Sequence, residues 1–266
     1  MLNTVRKFVP YSALSFYRRL KRKKQRIENS SKSTEEVFTD IYRTNHWGGE
    51  SGEFCSGTGT VHEAISEAYI KCLADLQSKY QFSDLNVVDL GCGDMRIGSQ
   101  LAGLFATYTG VDIVKEMIEK HASQYTESTI NFKHLNIVED ELPDGDVCLI
   151  RQVLQHLSND QIVKILSKLS KYKYVFITEQ LPTPNDDLKF NLDKSHGGDV
   201  RLYDNSGIYL TEAPFNLDKS LVTTVLEVEG HGYQNYSEPW IKGVIETVLY
   251  TPVSYTHLTL PTKRIV

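Results

Sequence analysis

An α/β domain with a seven-stranded, mostly parallel sheet and helices on both faces is what this sequence predicts, on three observations. Between Leu85 and Thr178, short apolar runs alternate with stretches of helical periodicity. Each helical stretch falls between two such runs, the order of a parallel sheet wound by crossover helices. Near the end, two long β-type runs follow one another with no helix between them, which suits an antiparallel edge.

In chain order, the first segment is basic. Residues 1–26 carry nine Lys or Arg and no acid, so with a chain total of −5 the remainder carries −14. Phe8, Val9, Leu14, Phe16, Tyr17 and Leu20 are interleaved with those basic residues. The segment lacks a clean apolar h-region and a small-residue cleavage site, so it does not read as a signal peptide. It suits peripheral contact with an anionic membrane surface, against the plainer reading of a solvated tail. No run approaches the roughly 20 apolar residues that span a bilayer. Residues 1–34 are thus set apart as leader and linker, the linker being the Ser-rich stretch Asn29–Thr34. The domain is expected over residues 35–252.

A short helix is expected over Glu35–Tyr42, then a loop, Asn45–Thr60, rich in small residues, then a helix over about Val61–Lys79. Strands are expected at Asn86–Leu90, Tyr108–Ile113, Asn131–Leu135, Val147–Ile150 and Tyr174–Thr178. Helices are expected at Ile97–Leu104, Lys115–Gln124, Val153–Leu157 and Asp160–Ser170, the last capped by Ser158 or Asn159. Pro182–Gly207 reads as loop, and Leu221–Glu229 with Gly243–Thr251 complete the count of seven strands. The four cysteines are widely spaced with no C-x-x-C, which suits a reducing cytoplasm and argues against a disulfide framework or a metal site.

The most informative stretch is Val87-Val88-Asp89-Leu90-Gly91-Cys92-Gly93-Asp94, an apolar strand ending in an acid and then Gly-x-Gly. Ligands of open α/β sheets bind beyond the carboxyl ends of the strands, where glycine lets backbone approach closely. A dinucleotide site would show a small residue where Arg96 stands, and Asp94 puts negative charge where a pyrophosphate would lie. An ordinary strand–turn–helix junction is the other alternative. Asp112 ends the next strand, twenty-one residues after Gly91, where a carboxylate can hold both hydroxyls of a ribose.

The Asp-x-Gly-x-Gly run at a strand end resembles motif I of the class I S-adenosylmethionine-dependent methyltransferases. That resemblance implies a Rossmann-like sheet and S-adenosyl-L-methionine as cofactor. It implies cofactor contacts from Asp89, Gly91, Cys92, Gly93, Asp94 and Ile137, with Asp112 on the ribose and Ile113 on the adenine. Asn136 stands where many relatives place an Asp, and its amide oxygen can still accept a bond from the adenine amino group; it also reads as a turn residue. Arg151 and Gln152, after the fourth strand, are expected beside the cofactor's amino-acid part, with Arg151 able to pair with its carboxylate.

Methyl transfer is an in-line displacement that needs alignment and exclusion of water, and an oxygen acceptor must also lose a proton. His156 and Glu179 are the candidate bases, each with a plain structural reading beside it. His196, Arg201 and Trp47 are candidate acceptor contacts. The loops Asn45–Ser51 and Ser195–Tyr203 resemble those of a bacterial subgroup of unassigned substrate, and they assign no acceptor. The expected activity is methyl transfer to a small-molecule hydroxyl of a saccharide or lipid-linked precursor, in the cytoplasm or at the inner face of the membrane. An RNA methyltransferase is the alternative, disfavoured by the acidic body. A non-catalytic module that binds the cofactor is another. Val253–Thr262 resembles a translated sequencing adapter, so residues 253–266 are set apart as a non-native tail.

Overall fold

The structure is a computed structural model that describes residues 11–50, 52–126, 129–231 and 241–252. The leader's first ten residues and all of the adapter-like tail lie outside that range. Helix α1 (Tyr11–Ser30) precedes α2 (Thr34–Arg43), the four-residue α3 (Thr58–Val61) and α4 (Glu63–Tyr80). The sheet strands are β1 (Asn86–Leu90), β2 (Thr107–Asp112), β3 (Ile130–His134), β4 (Val147–Arg151) and β5 (Tyr174–Leu181). Between them run α5 (Gly98–Leu101), α6 (Lys115–Gln124) and α7 (Asn159–Lys168). Two-residue strands β6 (Lys189–Phe190) and β7 (Ser206–Gly207) pair apart from the main sheet, which β8 (Val222–Glu229) and β9 (Val244–Tyr250) complete.

The sheet order is β3-β2-β1-β4-β5-β9-β8. The first five strands are mutually parallel, and β9 runs antiparallel to both β5 and β8. The expected seven-stranded α/β sheet is therefore present, with the antiparallel pairings at the β8 end. The order reverses between β1 and β4, and the ligand crevice of such a sheet lies at that switch point.

The core is two apolar layers, one on each sheet face, because alternate residues of a strand point to opposite sides. Val88, Leu90, Cys148, Ile150, Val175 and Ile177 pack on α7 through Ile162, Ile165 and Leu166. Val87, Tyr108, Leu149 and Phe176 pack on Tyr69, Leu73 and Leu101 of the other layer. The β4 run Val-Cys-Leu-Ile is buried on both sides, which is why it is continuously apolar rather than alternating. Both α2 and α7 begin with capping boxes, Ser33 with Glu36 and Ser158 with Gln161.

The leader departs from expectation. From Tyr11 onward it is helical, and its end is docked rather than solvated. Arg26 pairs with Asp199 and Asp204, and the buried Asn29 donates to the His196 carbonyl. The stretch Asn29–Thr34 is thus no free linker: it is the end of α1, a turn, and the start of α2. Among the described residues, no helix is long and apolar enough to cross a membrane.

Candidate cofactor site

The carboxyl ends of β1, β2 and β4 open onto a cavity of about 1020 Å³ of empty space, its open mouth included. Its floor is the hairpin after β1. Gly91 and Cys92 both donate to the Val111 carbonyl, at 2.8 and 3.0 Å, which ties the hairpin to β2. Gly91 has φ +82°, and a Cβ there would stand 2.5 Å from Val153 Cγ2. Gly93 has φ +56°, and a Cβ there would stand 2.3 Å from Ser56 Oγ. Neither position accepts a larger residue without movement.

Asp89 is buried beneath the hairpin and accepts a hydrogen bond from the Tyr108 hydroxyl. Burial pushes its carboxyl up to about 6, against the opposing pull of Tyr108 and Arg151. Asp112 accepts from the Gly93 and Val114 amides, each at 3.1 Å, and burial raises its carboxyl too. Asp94 lines the cavity, but its oxygens are engaged: Oδ2 accepts from the Ser56 amide at 2.9 Å and Oδ1 from the Arg96 amide at 3.1 Å. The Asp94 amide in turn donates to Ser56 Oγ, so this pair clamps the 45–60 loop onto the hairpin.

Arg151 donates to the Gly59 carbonyl at 2.6 Å and stacks 5.2 Å from the Tyr69 ring centre. Its buried Nε has no hydrogen-bond partner among the described residues. Gln152 has left-handed backbone (φ +55°), and its amide fills the space a Cβ at Gly59 would need, 1.8 Å away. Gly57-Thr58-Gly59 was visible in the sequence as a loop; what its glycines make room for was not.

All eleven residues expected at the cofactor line this one cavity, as do Trp47 and His156. Asn136 lines it as a turn residue: its side-chain oxygen accepts from the Val138 amide at 3.0 Å, so the oxygen expected to meet adenine already has a donor. Glu179, His196 and Arg201 are not among the lining residues. Glu179 is buried and accepts from the amides of Leu154 (2.8 Å) and Gln155 (3.3 Å), holding the turn after β4. Burial pushes its carboxyl up to about 8. Arg201 is 1% exposed and donates to the carbonyls of Leu192 and Leu157. His196 meets the leader through its carbonyl. These three lie outside the cavity, in the wall behind it.

His156 faces the cavity with its ring 4.9 Å from that of Trp47, and its Nδ1 is 3.1 Å from the Gly197 carbonyl. Burial, then the Lys194 charge, push the imidazole down to about 4. It is neutral at neutral pH, and well below the basicity that general-base work at that pH favours. The neutral ring is stabilised by folding, so that stability is present above about 6.5 and is lost as pH falls from there through 4. The bound on this loss is about 3 kcal/mol. Denaturant midpoints measured from pH 7 to pH 4 should therefore fall more steeply for the wild type than for His156→Phe.

Residues missed by sequence reasoning include Thr34, Phe38 and Tyr42, which line the cavity from α2. Their four-residue spacing puts them on one helix face, a signal that was available. Tyr42 also contacts Ser56 Oγ through its hydroxyl, at 3.0 Å.

Residues 87–172 match the family described as "Methyltransferase domain". Residues 87–172 thus resemble a methyltransferase domain. The methyltransferase match covers β1 to the turn after α7, the part of the chain that builds the hairpin and the crevice. The chain is 27% identical over 139 residues to the ubiquinone biosynthesis O-methyltransferase of Rickettsia bellii, covering 51% of this chain and 55% of that protein. It is 29% identical over 126 residues to that of Rickettsia typhi, covering 44% and 48%. The chain thus spans about half the length of the curated relatives it matches. A crystal structure of a Burkholderia thailandensis 1,6-didemethyltoxoflavin-N1-methyltransferase shares the fold at 14% identity and TM-score 0.50, covering 82% of this chain and 86% of that one.

The cavity is chemically suited to S-adenosylmethionine. Its charged rim offers carboxylates near a hairpin that lacks the small third residue of a phosphate loop, and one buried guanidinium nitrogen is left for an anion. Among the described residues, no group of three or more His, Cys, Asp or Glu could hold a metal ion.

Proposed function

We propose that this chain transfers a methyl group to a hydroxyl of a small saccharide or lipid-linked acceptor. The observation that carries the reading is the convergence of the hairpin at Gly91 and Gly93, Asp112 and Arg151 on one crevice. S-adenosylmethionine, when bound, supplies a methyl group activated by its sulfonium. Asp112 is assigned to its ribose, Arg151 Nε to its carboxylate, and Ile113 and Ile137 to its adenine. Trp47, Phe38 and Tyr42 wall off the opposite side and exclude water, which sharpens every electrostatic contact within. The two Rickettsia relatives are named as O-methyltransferases, which favours an oxygen acceptor over nitrogen or carbon. In this reading His156, neutral and at the rim, orients the acceptor hydroxyl more than it deprotonates it. The leader's contact with an anionic membrane belongs to the same proposal.

Calorimetric titration tests the cofactor assignment. The wild type should bind S-adenosylmethionine and not NAD, and Asp112→Asn should bind it about 10- to 100-fold more weakly, the value of a charged hydrogen bond. Equal affinity of the two proteins would remove Asp112 from the site. A labelled-methyl assay on lysate separated into lipid, saccharide, RNA and protein then reads the acceptor class. Label in RNA alone would replace the small-molecule reading.

A further inference from the structure

Helix α1 is amphipathic in the reverse sense of an ordinary surface helix, which buries its apolar stripe and shows its charges. Here the side turned to the body is polar. Arg26 Nε donates to Asp199 Oδ2 at 2.7 Å, Arg22 lies 5.0 Å from the Tyr203 ring centre, and Asn29 Nδ2 reaches the His196 carbonyl at 3.1 Å. The side turned outward is apolar: Phe16, Tyr17 and Ile27 are each 63% exposed and Leu20 50%. At about 100° per residue these four fall within an arc of about 100°. Exposed Arg19 and Lys23 border one side of that arc and Lys21 the other, while Lys24 falls within it, 3.6 Å from Glu28.

The docked face leads to the cavity in two steps. The Ser195 hydroxyl donates to the Arg26 carbonyl at 2.8 Å. Two residues on, the Gly197 carbonyl meets His156 Nδ1, and the Gly198 carbonyl accepts from Trp47 Nε1 at 3.1 Å. The loop that α1 grips therefore holds two ring side chains that line the cavity, Trp47 and His156.

We propose that the outward face of α1 seats the protein on an anionic lipid bilayer, and that the acceptor is an amphiphile presented to the adjacent cavity rim from that bilayer. The proposal rests on the methyltransferase reading for its second half only. The choice of occupant follows from charge. Aromatic and aliphatic residues flanked by Lys and Arg match the acyl–headgroup boundary, into which basic stems reach while their charges stay among the headgroups. A second copy of this chain would set one cationic margin against another. The body outside the leader carries −14, so an anionic surface attracts α1 and repels the rest, which orients the molecule.

The test is sedimentation of the full chain with phosphatidylcholine vesicles, with and without phosphatidylglycerol. Binding is expected only with the anionic lipid, and it should weaken with added salt. The triple variant Phe16→Asp, Leu20→Asp, Ile27→Asp should lose at least about tenfold in vesicle affinity. Its thermal midpoint and S-adenosylmethionine titration should stay at wild-type values, because all three side chains are exposed. Arg19→Glu with Lys23→Glu provides a second variant that leaves the stripe intact and should also reduce binding. Equal sedimentation of wild type and triple variant overturns the proposal. So does a lipid-free dimer that the triple variant splits, which would make the face a contact between copies. Label recovered only in water-soluble acceptors would overturn the amphiphile. Failure of cofactor titration with vesicle binding intact would instead end the methyltransferase reading and leave the docking face standing.

Discussion

Gly91→Ala is expected to reduce S-adenosylmethionine affinity by about 5- to 150-fold, the equivalent of 1–3 kcal/mol for a residue held in a sparsely populated backbone region. Two costs meet at this position. The φ of +82° disfavours any side chain, and the new methyl would stand 2.5 Å from Val153 Cγ2. Val153 follows Gln152 at the end of β4, so relief by moving it disturbs the neighbours that clasp Gly59. Calorimetric titration reads the affinity, and Gly103→Ala is the matched control. Gly103 has nothing within 4 Å of its would-be Cβ and carries no positive φ, so its substitution should leave affinity unchanged. Identical affinities for the two variants would mean that the hairpin is not the cofactor cradle.

Arg201→Ala should destabilise the fold by about 2–6 kcal/mol, the range for leaving two buried carbonyls without their donor. The guanidinium is 1% exposed and donates to two backbone carbonyls, with Asp193 and Glu179 as the nearest acids. Burial outweighs those partners and pulls it down to about 10, still charged at neutral pH. Without it, the Leu157 and Leu192 carbonyls lose a buried donor. For a domain of this size each kcal/mol moves the melting temperature by roughly 2–4 °C, so a fall of about 10 °C is expected in a thermal scan. Below the transition, cofactor affinity should be retained. A contact to acceptor alone would show the opposite pattern, unchanged melting with a raised KM.

The contrast between those two residues explains what sequence reading could reach. The hairpin was legible because its glycines and acids are adjacent in the chain and follow an apolar strand. Helix α6 was legible to the residue, since its apolar positions recur at helical spacing between two strands. Strand β5 was read short, ending at Thr178 rather than Leu181, because Glu179 and Gln180 look like the start of a solvated loop. Both are buried, and their partners lie far away in sequence: the Leu154 amide for Glu179, the His231 and Lys242 carbonyls for Gln180. Arg201 is a similar case, a cation in a Gly- and Asp-rich stretch whose carbonyl acceptors are brought to it by the fold. The leader's basic–aromatic mix was plain, but its binding to the body depends on Asp199 and Asp204 meeting one arginine.

The two margins of the main sheet have a consequence for handling the protein. Strand β8 ends the sheet with a bulge between Thr224 and Leu226, and its outer positions include exposed Thr223, Thr224, Glu227 and Glu229. At the far margin, β3 shows Asn131, Lys133 and His134 to solvent. A kinked, charged border offers poor purchase to an incoming strand of another molecule. Fibril nucleation by cross-β stacking is thereby discouraged at both ends, so the concentrated protein should resist amyloid-type polymerisation without help from a partner chain.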